Sequence, residues 1–152
     1  QQQSGGSGSS IEQGEFFGYT FDVLSETVLD DGGVFTIEAE YKKFHSDFTV
    51  ATPPAAGLAG CSCLFDGHST FAMVAYLFPK VIGWGKFQPY FRYVENNPSD
   101  AKTSDSIEIG TNYVISGNNA KLNFNYISGD NNASGYAGSD VDLFTFGVQL
   151  QY

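Results

Sequence analysis

Across Val141–Tyr152, V-D-L-F-T-F-G-V-Q-L-Q-Y, side chains alternate in character. Apolar ones fall on Phe144, Phe146, Val148, Leu150 and Tyr152, and small or polar ones on Thr145, Gly147, Gln149 and Gln151. Neighbouring side chains of a strand point to opposite faces, so this stretch predicts a ribbon with one apolar face and one wet face. The same reading gives six further strands. Glu15–Leu24 sets Phe17, Tyr19, Phe21 and Val23 against Gly18, Thr20 and Asp22. Val34–Phe44 sets Phe35, Ile37, Ala39 and Tyr41 against Thr36, Glu38, Glu40 and Lys42. Asp-Gly between two such runs is a strong hairpin signal. Ser69–Phe78 is apolar on both faces, so its phase is not readable. Lys86–Val94 sets Phe87, Pro89, Phe91 and Tyr93 against Gln88, Tyr90 and Arg92. Proline lacks the N–H a ladder needs, so Pro89 is expected near the strand's start or at a bulge. Ser106–Ser116 places Ile107, Ile109, Tyr113 and Ile115 opposite Glu108, Gly110 and Asn112, and Ala120–Ile127 places Leu122, Phe124 and Tyr126 opposite Lys121, Asn123 and Asn125.

These strands are long enough to cross a bilayer, which takes about 9–11 tilted residues. Together with the C-terminal aromatic, the last one resembles the closing strand of an outer-membrane barrel. The connections also fit. Short turns at Asp30–Gly33, Pro79–Gly85 and Gly117–Asn119 alternate with long stretches at His45–His68, Glu95–Asp105 and Gly129–Asp140. Transmembrane barrels pair short periplasmic turns with long extracellular loops in this way. The fold expected is therefore all-β, an antiparallel transmembrane barrel over residues 14–152. Residues 1–13, rich in Gly, Ser and Gln, are expected to be a flexible extracellular loop or a clipped end. Seven is an odd count, and an open sheet edge has no hydrogen-bonding partners in lipid. The remaining strands of the barrel are thus an expected partner, from the same or a second polypeptide.

Composition supports a membrane setting. Only 16% of residues are charged, against 14 Phe, 9 Tyr and 18 Gly, whereas a globular domain has about 25% charge. No run reaches the roughly 18 apolar residues of a membrane helix, and the Gly/Ser/Gln start has no signal-peptide core. A net charge of -10 with seven scattered Lys and Arg argues against nucleic acid. Cys61 and Cys63 are too few and too close for a zinc set, and leave a strained disulfide, free thiols or pairing to another chain open. Asp130, Asn131, Asn132, Ser139 and Asp140 lack calcium-loop spacing. His45 and His68 read as exposed loop residues. No nucleophile is placed with a base, so neither an enzyme nor a cofactor or metal site is expected.

Three stretches carry a resemblance to a known family: G-K-F-Q-P-Y-F-R-Y at Gly85–Tyr93, I-G-T-N-Y-V-I-S-G-N-N-A-K-L-N-F-N at Ile109–Asn125, and the closing F-T-F-G-V-Q-L-Q-Y. With Ala75–Lys80 and G-G-V-F-T-I-E-A-E-Y upstream, the chain resembles the C-terminal part of phosphate-selective porins O and P over about Phe16–Tyr152. That resemblance implies a sixteen-stranded homotrimeric porin of the Gram-negative outer membrane, in contact with lipid and lipopolysaccharide. It implies passive transport of small hydrophilic solutes or ions. This chain would supply its last seven strands. The family's anion-binding Lys and Arg fall largely outside this stretch, and none is carried over. Pore-lining candidates are the charged side chains opposite the apolar face, because such charges set ion preference: Asp22, Glu38, Glu40, Lys42, Arg92, Glu108 and Lys121. Trp84, Tyr76, Tyr93, Tyr113, Tyr126 and Tyr152 suit interfacial girdles. The alternative function is a structural barrel that sheathes or anchors a partner protein in the outer membrane.

Overall fold

Alternation alone does not choose between a two-layer sandwich and a single wall. A sandwich buries one face of each sheet, and a membrane barrel leaves the apolar face on the outside. In the computed structural model, which describes residues 3–5, 12–14, 16–46, 66–99, 102–117, 119–130 and 138–151, the chain forms a single wall. Apart from Pro98 and three glycines, Ala75 is the one apolar residue among them that is buried, while Phe21, Phe91, Phe124, Phe146 and Leu150 all stand exposed.

There is no helix among the described residues. Two three-residue strands, β1 (Gln3–Gly5) and β2 (Glu12–Gly14), pair antiparallel within the Gly/Ser/Gln segment. The main sheet has seven strands: β3 (Phe16–Val28), β4 (Val34–Ser46), β5 (Gly67–Leu77), β6 (Lys86–Pro98), β7 (Ser104–Ser116), β8 (Ala120–Asp130) and β9 (Asp140–Leu150). Each pairs only with its neighbours in sequence, and the order β3 to β9 is an uninterrupted antiparallel meander. The outer edges of β3 and β9 are unpaired among the described residues. One bulge interrupts β7 against β8, between Val114 and Ser116.

Register supplies the phase that the sequence withholds for the third strand. Phe35 pairs with Tyr76, Ile37 with Val74 and Ala39 with Ala72, so these β5 residues join the apolar face. Leu77, Ala75, Met73 and Phe71 point the other way. The strands are also longer than alternation suggests, because polar residues continue the ladder beyond the apolar band. Glu95 pairs with Asp105 and Asn96 with Ser104, which reduces the expected long loop there to residues 99–103. That connection is shorter than the 78–85 turn, so the alternation of connection length does not hold in the middle of the chain. His45 and His68 likewise belong to strands and not to a loop. His68 stacks on Tyr41 at 5.8 Å, and His45 Nδ1 lies 3.4 Å from Asp66. Cys61 and Cys63 lie outside the described residues.

At the opposite end, tyrosines of the apolar face tie down the turns. Tyr76 donates its hydroxyl to Asp31 at 2.7 Å, and the Gly33 N–H donates to the same carboxylate at 2.8 Å. These bonds, that from Tyr76 first, hold the Asp31 pKa below its usual value. Gly32 closes the turn at φ 80°, a conformation that side chains with a Cβ rarely adopt. Tyr113 donates to the Ile82 carbonyl at 2.6 Å and accepts from the Trp84 N–H at 2.8 Å.

Pro89 is the fourth residue of β6 and sits at no bulge. It leaves a gap in the ladder instead. Pairing of β5 with β6 stops at Ala75–Tyr90, and the Phe78 N–H next donates to the Phe87 carbonyl at 2.9 Å. Pro89→Val supplies the missing donor. It is expected to stabilise the sheet by about 1 kcal/mol, read as a higher thermal midpoint by circular dichroism.

Candidate functional site: the polar face of the sheet

Antiparallel partners share a face, so the register assigns every side chain of the sheet. All seven candidate charges fall on the face opposite the apolar band. Asp22 pairs with Glu40, and Lys42 lies between Thr20 and Ser69. Glu38 lies between Leu24 and Met73, and Arg92 between Met73 and Glu108. Lys121 lies between Val114 and Gln149. The structure brings two pairs of them into contact. Lys42 Nζ is 2.6 Å from Glu40 Oε1, two residues along the same strand. Arg92 Nη2 is ion-paired with Glu108 Oε2. Asp22, Glu38 and Lys121 stay apart from these pairs.

Glu108 is the best buried of the charged residues described, 4% exposed, and it anchors a network. Besides Arg92 it accepts from the Tyr90 hydroxyl and, at 2.7 Å, from Asn125 Nδ2. Asn123 Nδ2 donates to the Tyr90 hydroxyl at 3.0 Å and to Asn112 Oδ1 at 2.9 Å. Asn112 Nδ2 in turn donates to Gln88 Oε1 at 3.1 Å, and the Thr145 hydroxyl donates to Asn125 Oδ1. Four strands, β6 to β9, are cross-tied by side chains in addition to their ladders. Gly110 makes this possible. A Cβ built there would stand 2.5 Å from Tyr90 Cζ and 2.6 Å from its hydroxyl, so the phenol lies across the strand over the glycine.

Sequence reading passed over Tyr90, Asn112, Asn123, Asn125 and Thr145 because it searched for charge. Their positions in the alternation marked them as members of this face. Glu26 was missed because β3 runs past the predicted end at Leu24, and Lys86, which opens the predicted strand, because it stands at the strand's first position. The face is not uniformly polar: Phe71, Met73, Val94 and Leu24 also belong to it.

On the other face, the apolar band drifts across the register. Stepping through paired residues from Val23 gives Ala39, Ala72, Tyr93, Ile107, Ser128 and finally Asp142. The same walk from Ser25 ends on Phe144. A line perpendicular to the strands that starts within the apolar band on β3 has therefore left it by β9, and one that ends within the band on β9 starts beyond it on β3. A band of constant height does this only where strands lean.

Residues 64–152, 89 of the 152, match the family model for phosphate-selective porin O and P. The chain belongs to the phosphate-selective porin O and P family. Its match spans the whole of β5 to β9, and β3 and β4 continue the same sheet upstream. Porins are channels of the bacterial outer membrane and not a family of enzymes. No curated protein and no solved structure matches the chain.

The Glu108 network makes a stability prediction. Glu108→Ala strands the Arg92 guanidinium, which is about two-fifths exposed and so partly solvated. The expected cost is about 2 kcal/mol, whereas Glu38→Ala should cost under about 0.5 kcal/mol. Denaturation midpoints of the two variants check the difference.

Proposed function

We propose that this sheet is a sector of a closed barrel whose polar face lines a water-filled channel, through which small hydrophilic solutes or ions diffuse passively. The drift of the apolar band carries this reading. On β3 the outward apolar residues run from Phe17 to Val23, and on β9 from Phe144 to Leu150. The walk from Val23 to Asp142 shows that the β9 band begins where the β3 band has ended. The offset is thus about eight residues over six strand-to-strand steps. With a rise of about 3.3 Å per residue and strands about 4.8 Å apart, it corresponds to a tilt of about 40°, inside the 35–45° range of transmembrane barrels. A soluble sandwich has no reason to drift its apolar band at that rate.

The edges of β3 and β9 then take their partners from the rest of the barrel, since lipid offers no hydrogen bonds. The apolar face meets lipid and lipopolysaccharide in a Gram-negative outer membrane, with the assembly trimeric as in the resemblance. Asp22, Glu26 and Glu38, on β3 and β4, and Lys86 and Lys121, on β6 and β8, are the wall charges outside the ion pairs among the described residues. Acidic and basic groups occupy different sectors of the wall.

Purified protein in a planar lipid bilayer should conduct as an open channel. The double variant Asp22→Asn/Glu38→Gln should lower its cation-to-anion permeability ratio about twofold at low salt, from the reversal potential in a salt gradient, with less effect at high salt. Folded protein that inserts without conducting would remove the channel reading.

A further inference from the structure

The polar network includes a feature that ion passage does not require: an aromatic ring laid against the wall and framed by planar polar groups. We propose that Tyr90 is a stacking platform for saccharides passing along the channel, an inference that rests on the diffusion-channel reading. Its ring has small neighbours on both sides, Ala75 on β5 and Gly110 on β7. It leans over Gly110, where even a methyl group would collide with it. One face of the ring is thereby turned to the wall and the other to the space in front of it.

A pyranose presents a face of C–H groups and a rim of hydroxyls. The first suits the negative face of an aromatic ring. The second suits amides, a carboxylate and a guanidinium set around that ring, the few placed polar groups that fix orientation in a ligand site. The rim here consists of Arg92 and Glu108 on one side, Gln88, Asn112 and Asn123 on the other, and Asn125 beyond Gly110. Gln88 contributes only its carbonyl oxygen to the network and Arg92 only one nitrogen, so both keep donors for a solute. The mutual bonds of Asn123, Asn125 and Glu108 with the Tyr90 hydroxyl hold the ring in place beforehand. Binding then requires little reordering of the wall.

Small-ion selectivity would make use of the charges alone. A ring held flat by three partners and flanked by amides fits a neutral polyhydroxylated solute better than it fits phosphate. It also makes the site a passage point and not a trap, because a single platform in water holds a sugar only briefly.

The test uses the full porin in a planar bilayer, with maltotriose as probe and inorganic phosphate as comparison. Maltotriose should reduce the ion current in a saturable manner. Tyr90→Ala should raise the half-blocking concentration about tenfold, with the open-channel current retained as proof of folding. Tyr90→Phe keeps the ring and should keep most of the block. Gly110→Ala, which dislodges the ring without removing a polar group, should weaken it. An open channel that maltotriose does not block, or a Tyr90→Ala channel blocked as well as the parent, overturns the proposal and leaves the channel reading intact. Folded, inserted protein without conductance overturns both.

Discussion

Every backbone amide and carbonyl of a strand must find a partner, and in hydrocarbon water cannot supply one. That constraint organises the sheet. It accounts for strands of 11 to 13 residues that keep pairing past the apolar band, with neighbours always adjacent in sequence. It also accounts for how little of the chain is buried. Stability comes from ladders, cross-strand rings such as Phe124 with Phe146 at 4.7 Å, and side-chain ties on the polar face, in place of a packed interior. At Pro89 the ladder lacks a donor and the sheet keeps its register across the gap.

The polar face follows from the same logic with the signs reversed. Where water is present, charged side chains can stand alone, as Glu38 and Lys121 do. Where several polar groups crowd one another, they satisfy each other, and Glu108 is covered in the process. Arg92, the chain's single arginine, is therefore half absorbed into structure. The residue that looks most like an ion contact in the sequence works also as a brace. The less conspicuous Tyr90 and its amides shape the surface that a solute would touch.

Much of this was legible in the residues. Parity placed Asp22, Glu38, Glu40, Lys42, Arg92, Glu108 and Lys121 on one face, because a strand leaves no third direction for a side chain. Parity could not phase Ser69–Phe78, whose two faces are alike; only the pairing of Phe35 with Tyr76 resolves it. Nor could it locate strand ends. The polar pairs Glu95–Asp105 and Asn96–Ser104 look like loop in a hydropathy pattern and are ladder in space. The contact between Tyr90 and Gly110 was invisible for a different reason, since it depends on which residue of one strand faces which residue of the next.

The drift of the apolar band also bears on the channel's interior. If strands lean by about 40°, each step to the next strand changes depth in the membrane by about 3 Å. Glu38, Met73, Arg92 and Glu108 are consecutive partners across four strands. They are consequently not at one level, but climb together towards the side where β4 and β5 are joined. The charges of this wall form part of a spiral staircase and not a ring. A solute moving along the axis would be handed from one to the next, with no single narrow tier at which all of them act at once.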